Sequence, residues 1–483
     1  MPALDDWIAL EMRYATETMS GAISATDRLM ERPGFGQRVI PRPGSILASP
    51  VPAHYDPDPD YFFHWFRDSA IVIDALRVAL AMGYADRSAL ARLREFVQFS
   101  RSLHSLNGQE FLRHSDFRAR VQPDFLRYVR PNAEIAALSG EAVLADVRVN
   151  ADGTLDFIRW TRPQTDGPAL RAVSLLRWGQ QFPHLCQDPT LGPVLREVIS
   201  ADLAFTLSSA RKPSSDLWEE ESGYHYYTQL VQAEALTRGA AWLEETVQTP
   251  RAQACHVAAA EALARLDGMW NDAGGFYRSR MAADSGEARL DIAVVLAVLH
   301  AARAGGKHSV LDPKAQATLT ALEELFEAEY AINRERPPGR GPAMGRYAND
   351  RYYSGGAWYL ATLAAAEFYF RLAQALGCGA QLPVVPENRR FRQRLGSAAS
   401  PADTDSMALL AVQRGDAIMR TVQAFTPPSG ELSEQFDQTT GEQTSAKHLS
   451  WSYAAFITAA ASRAQACRSI PAVDLATNPA GTA

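Results

Sequence analysis

Apolar residues return at i, i+3, i+4 and i+7 along segment after segment of this chain, for example in "DSAIVIDALRVALAMG", "LDIAVVLAVLHAARAG" and "GAWYLATLAAAEFYFRLAQALG". That period places one continuous apolar stripe, or an apolar surface all round, on an α-helix. About a dozen such segments follow one another without a linker or low-complexity tract. Strand-like alternation is scarce. Its best instance, "EAVLADVRVNADGTLDFIRW", predicts a small β-hairpin near 141–160 that turns at Ala151, Asp152 and Gly153. The expectation is an all-α domain over residues 1–469 and a polar tail over 470–483. No fixed sequence period links the segments, so a closed double ring of helices is expected rather than a solenoid.

The 483 residues are 47% hydrophobic and 21% charged, which is ample for a large core. A formal net charge of −7 speaks against a nucleic-acid or anionic-membrane partner, since both need concentrated positive charge. Cys186, Cys255, Cys378 and Cys467 are far apart and form no CxxC pair, so no metal site is expected. The N-terminus, "MPALDDWIALEMRYA", carries aspartates where a secretory signal has basic residues, and no stretch reads as a bilayer span. The expected protein is cytoplasmic, monomeric and free of cofactors.

The connections between helical segments carry the chemistry. Five of the nine tryptophans fall in or beside them: Trp65, Trp160, Trp218, Trp358 and Trp451. Indole faces suit the C–H faces of a sugar ring, and charged groups nearby give its hydroxyls directional bonds. In "DLWEEESG" three glutamates follow a tryptophan. Acidic residues near a helix start can be simple dipole partners. Alternatively, a carboxyl that loses hydration beside an indole stays protonated as a general acid. The residues alone leave both readings open.

Five stretches decide between them by resemblance: "DYFFHWFRDSA" (60–70), "WTRPQTDGPALRA" (160–172), "DLWEEESG" (216–223), "GRYANDRYYSGGAWYLATLAAAE" (345–367) and "ELSEQFDQTTGEQTSAKHLSWSYAAF" (431–456). Together, and in this order, they resemble the catalytic domain of the glucoamylases, the inverting exo-glucosidases of glycoside hydrolase family 15. The resemblance implies an (α/α)6 barrel. It also implies that Glu219 is the general acid, that Glu434 is the base activating water, and that Glu220 contacts the sugar at the neighbouring subsite. Arg67 and Asp68 would grip the terminal glucose, with Tyr61 and Trp65 beside them. Trp160, Arg162, Trp218, Arg346, Asp350, Tyr352, Trp358 and Trp451 would complete the substrate site. Asp166, Gly167 and Pro168 read as an N-cap and first helical positions.

The chain departs from the commonest pattern of the family at Thr161, at Ser354-Gly355-Gly356 and at the third acid, Glu221. These positions put linkage and chain-length preference in question more than reaction type. No starch-binding module is recognisable, so raw starch is not an expected substrate. The implied activity is removal of glucose from soluble α-glucans or oligosaccharides, α-1,4 linkages first, with α-1,6 glucosides or trehalose as alternatives. A non-hydrolytic, glucan-binding regulator is the reading from another class, because fold does not fix function.

Overall fold

The structure, a computed structural model, describes residues 2–246, 248–281, 289–396 and 404–470. Positions 471–483 of the expected tail lie outside them. Twelve long helices carry the described architecture: α1 Leu4–Gly21, α2 Phe66–Ala81, α3 Ser88–Leu103, α4 Asp166–Gln181, α5 Leu191–Ser209 and α6 Tyr226–Glu245. The second half adds α7 Thr249–Asp267, α8 Ala293–Ala301, α9 Pro313–Glu329, α10 Tyr359–Gly377, α11 Thr404–Phe425 and α12 Ser450–Ser469.

The even-numbered helices close a ring. α2 packs on α4, α4 on α6, α6 on α8, α8 on α10, α10 on α12, and α12 returns to α2. The odd-numbered helices lie outside, α1 against α12, α5 against α4, α7 against α6, α9 against α8 and α11 against α10. This is an (α/α)6 barrel.

Burial explains which helices go where. α10 is buried at every residue from Tyr359 to Phe370, and α4 at every residue from Asp166 to Leu176. A helix buried on all sides must be walled in by neighbours. Runs of alanine, such as Ala364–Ala366 and Ala459–Ala461, let those neighbours approach closely. α3 instead buries one stripe, Ala89, Leu93, Phe96, Val97 and Ser100, as an outer helix should. Each fully buried Leu, Ile or Phe contributes roughly 1.5–3 kcal/mol, so closing the ring is driven by its core.

The hairpin expected near 141–160 forms only in part. Glu141–Leu144 is helical, and the strand Arg148–Asn150 pairs with Phe63–Trp65 rather than with its own return segment. The turn itself is present, with Gly153 at φ 80, and the return meets the strand through the Val149–Leu155 bridge and the Asn150 N–H bond to Thr154 O at 3.0 Å before Ile158 bridges Val129 instead. The physical reason is Arg148, whose guanidinium lies 4.0 Å from the Phe63 ring, 4.6 Å from Trp65 and 4.1 Å from Trp160. Those aromatic faces draw the strand to the segment before α2.

The segments leading into the inner helices meet at one end of the barrel. Ala357–Trp358 pairs with Gln435–Phe436, which pairs in turn with Gln443–Thr444. Asp291 bridges Tyr347, and His225 bridges Arg280.

Candidate active site

The N-termini of the inner helices give this mouth free backbone N–H groups and a partial positive charge, which favour carboxylates. Carboxylates are what it holds: Asp68, Asp166, Glu219, Asp291 and Glu434. The opposite mouth has a cavity of about 470 Å³ lined by Arg77, Arg177, Arg303 and Arg371. Arg177 there donates to the carbonyls of His300 and Ala301, and Arg371 to that of Leu299, so they cap the C-terminal end of α8.

At the acidic mouth a cavity of about 270 Å³ is lined by Tyr61, Trp65, Arg67, Asp68, Trp160, Trp218, Glu219, Glu220, Arg346, Tyr352, Trp358, Glu434 and Trp451. Its volume is near the ~300 Å³ lower end of small-molecule sites. Every candidate residue except Arg162 and Asp350 thus meets at one cavity. Trp451 stands 5.3 Å from the Arg67 guanidinium as one wall. Tyr61 and Tyr352 share a hydroxyl hydrogen bond of 2.6 Å, and Trp358 packs between Tyr352 and Trp218.

Arg67 and Asp68 lie in the first turn of α2, with side chains 6% and 8% exposed. Arg67 Nη2 is 3.1 Å from Asp68 and 3.0 Å from Glu219. Burial pulls the Arg67 guanidinium down, but Asp68, Glu219 and Asp166 outweigh it and hold its pKa above the ordinary value. Burial pushes Asp68 up, against the pull of Arg67.

The loop "DLWEEE" shows why three adjacent glutamates are present. Asp216 Oδ1 accepts from the backbone N–H of Glu220 at 2.8 Å and of Glu221 at 3.0 Å, closing the loop on itself. Glu219 takes the left-handed φ of 66, a conformation that costs a non-glycine residue roughly 1–3 kcal/mol and clusters at functional sites. The three side chains then separate. Glu219 accepts from Trp65 Nε1 at 2.9 Å, from Arg67 at 3.0 Å and from Trp160 Nε1. Glu220 meets Arg346 at 2.9 Å, Tyr347 Oη at 2.7 Å and Arg289 at 3.1 Å. Glu221 pairs with Arg280 and Arg289, away from the cavity. The indole that precedes these glutamates, Trp218, donates to Asp291 at 3.1 Å. The indoles touching Glu219 come from elsewhere in the chain.

Glu434 sits where the Gln435–Phe436 strand begins, with its backbone N–H bonded to Ala446 O at 2.8 Å. Its side chain accepts from Ser445 Oγ. Burial pushes Glu434 up to about 7, while the Ser445 hydroxyl and the Arg346 guanidinium pull it down and Asp68 adds to the rise. A carboxyl can accept a proton only in its ionised form, which burial disfavours here and the Ser445 hydroxyl favours. Ser445→Ala removes a bond to the charged form. We expect Glu434 in this variant to titrate at higher pH than in the wild-type protein, in carboxyl-carbon NMR of side-chain-labelled protein.

Arg162 is turned away from the cavity, and the reason is a buried charge network. It pairs with Asp146 and, at 3.0 Å, with Asp156, while Arg130 holds Asp146 at 3.0 Å and Arg148 holds Asp156 at 2.9 Å. Arg148 in turn lies against the rings of Trp65 and Trp160, the two indoles on Glu219. Asp350 forms a bidentate pair with Arg346, at 2.7 and 2.6 Å, and orients that arginine toward Glu220. The N-cap of α4 is Thr165, not Asp166, and the Asp166 side chain makes no capping bond.

Sequence reasoning missed Ser445, Asp291, Arg289 and Tyr347. Ser445 was within reach, because "EQFDQTTGEQTS" folds back with Gln435 opposite Thr444, which sets Ser445 beside Glu434. Of the departures noted above, Thr161 bonds Ser215 at 3.1 Å and Ser354 bonds Thr444 at 2.9 Å, so both brace loops. Among the described residues no group of His, Cys, Asp or Glu is arranged to hold a metal ion, and no helix is long and apolar enough to cross a membrane.

A six-hairpin helical barrel with carboxylates and indoles converging at one mouth is the frame of a carbohydrate-processing protein. The profile of Glycosyl hydrolases family 15 matches residues 144–461, and the chain belongs to that family. It is 28% identical to a glucoamylase of Neurospora crassa over 87% of this chain and 63% of that protein's length. An intracellular, sporulation-specific glucoamylase of Saccharomyces cerevisiae is 27% identical over 86% of this chain and 77% of its own. The solved glucoamylase of Hormoconis resinae superposes with a TM-score of 0.77 at 26% identity, covering 96% of this chain and 74% of that one.

Proposed function

We propose that this protein is an inverting exo-glucosidase that releases β-glucose from the non-reducing ends of soluble α-glucans or gluco-oligosaccharides, α-1,4 linkages first. The observation that carries this reading is the convergence of Glu219 and Glu434, 215 residues apart by numbering (434 − 219), on one cavity with Arg67 and Asp68. Glu219 gives its proton to the glycosidic oxygen as the C1–O bond breaks. Glu434 takes a proton from the water whose oxygen bonds to C1 from the opposite face. Solvent then returns a proton to Glu219 and removes one from Glu434. Such a pair needs ~6.5–9.5 Å between carboxyls to leave room for the water. Arg67 and Asp68 would bond the hydroxyls of the terminal glucose and prevent a chain from passing through, which makes the action exo. The glucoamylase names of the relatives support the substrate class.

Glucose release should be measured in parallel from maltose, isomaltose, panose, trehalose and glycogen. We expect maltose and glycogen to be hydrolysed and maltose to outrun isomaltose. Preference for isomaltose or trehalose would move the protein to another specificity of the family. Binding of maltose without release of glucose from any of the five would favour the regulatory reading.

A further inference from the structure

Arg289 lies in the segment that leads into α8. That segment pairs with the one bearing Arg346: Asp291 bridges Tyr347, and the Ile292 N–H bonds Arg346 O at 2.9 Å. The pairing lays the Arg289 guanidinium over the Tyr347 ring, 3.3 Å from its centre. From there it reaches two parts of the cavity lining. Its Nη2 donates to Glu220 Oε2 at 3.1 Å, and its Nε lies 3.8 Å from Asp291 Oδ2. Asp291 in turn accepts from Trp218 Nε1 at 3.1 Å through each of its oxygens. Glu221, which Arg280 also holds, meets Nη1 at 3.3 Å. Glu220 and Trp218 line the cavity and Arg289 does not, so whatever it does there it does through them.

Glu220 is the more movable of the two. Its side chain is 34% exposed, against 3% for Arg346. A long side chain loses rotamer freedom when it is fixed, so a half-open carboxylate keeps one direction only if partners hold it from more than one side. Arg346 serves Oε1 at 2.9 Å, Arg289 serves Oε2 at 3.1 Å, and Tyr347 Oη lies 2.7 Å from both oxygens. The Glu220 backbone is already tied to Asp216 Oδ1 at 2.8 Å. What Arg289 adds is therefore the direction of the side chain, not the course of the loop.

A proton donor must stand beside the glycosidic oxygen, between two sugar units. Glu219 has Arg67 on the side proposed for the terminal glucose. Glu220 turns instead to Arg346 and Arg289, on the side of the sugar that departs. We propose that Arg289 is a positioning residue for that departing sugar: it fixes the Glu220 carboxylate, and through Asp291 the Trp218 indole, and so sets how tightly a disaccharide is held beyond the cleaved bond. The proposal rests on the reading of this cavity as a glucosidase site with Glu219 as donor.

The test compares maltose, which places a sugar beyond the cleaved bond, with α-glucosyl fluoride, which places only fluoride there. In Arg289→Ala, KM on maltose is expected to rise roughly tenfold, about what one hydrogen bond to a charged group contributes. Its kcat on maltose should change little, because the lost interaction serves bound substrate and transition state alike. On α-glucosyl fluoride both constants should stay at their wild-type values. Arg289→Lys, which still offers Oε2 a cation, should recover part of the loss on maltose. An equal loss on both substrates overturns the proposal, because a residue that merely held the loop would disturb Glu219 as well. An unchanged KM on maltose overturns it too. Should Arg289→Ala fail to fold, Arg289→Gln reads the same split. Titration calorimetry of maltose onto Glu219→Gln, with and without Arg289→Ala, should show the same weakening in the absence of turnover, and equal affinities overturn the proposal. A wild-type protein that released no glucose from either substrate would defeat the hydrolase reading separately, since the calorimetric comparison does not depend on cleavage.

Discussion

Glu219→Gln is expected to lower kcat on maltose by roughly 10²–10⁴-fold, the contribution of a positioned general acid. The amide keeps the shape of the side chain, and its oxygen can still accept from Trp65 and Arg67, which share Oε1 in the wild-type protein. It has no proton to give. Its NH2 would also face the Trp160 N–H that now bonds Oε2, donor against donor. A buried donor left without an acceptor costs about 1–3 kcal/mol, so a moderate fall in Tm should accompany the loss of turnover. Glu221→Gln is the control. Its carboxylate pairs with Arg280 and Arg289 away from the cavity, and its variant should keep most of the activity. Initial rates on an unactivated disaccharide decide the matter. Retention by Glu219→Gln with loss in Glu221→Gln would reverse the assignment.

Arg67→Gln should be nearly as damaging, and in two ways at once. It removes the one cation facing Asp68, Asp166 and Glu219. Removing one partner of a buried ion pair typically costs 3–5 kcal/mol, because charges are left uncompensated. The sign of the pH dependence follows. Without Arg67 the folded-state pKa values of Asp68 and Asp166, already raised by burial, rise further above their unfolded values, so stability is lost as pH climbs and partly regained where those two carboxyls are protonated. The proposed grip on the terminal glucose goes too, so kcat/KM should fall on every substrate. Urea denaturation at pH 5 and pH 8 checks the first effect. A variant equally stable at both, within about 1 kcal/mol of the wild-type protein, would mean that the cluster does not carry the charges assigned to it.

How much of this was legible depends on whether local or distant groups set each feature. Helices show in the sequence because a helix between two layers must be apolar on both sides, and "GAWYLATLAAAEFYFRLAQALG" has little choice but to be walled in. The convergence of Glu219 and Glu434 is not visible as periodicity, and it entered through the likeness of five stretches to a family. The strand Arg148–Asn150 was visible but its partner was not, since Phe63–Trp65 lies 85 positions upstream by numbering (148 − 63) and is chosen by aromatic faces around Arg148. Side-chain direction in irregular segments was the least legible. Arg162 points to Asp146 and Asp156, and Asp166 to Arg67, because of contacts that local spacing does not encode. The Ser445 bond to Glu434 could have been read from the hairpin register alone.

The central claim is that Glu219 and Glu434 act as an acid and a base on opposite faces of an α-glucosidic bond, with a water between base and sugar. Proton NMR of maltose hydrolysis in the first moments, before mutarotation mixes the anomers, tests it most directly. The newly released glucose should appear first as the β-anomer. Release of α-glucose first, or a trapped covalent glucosyl–Glu434 adduct, would contradict it.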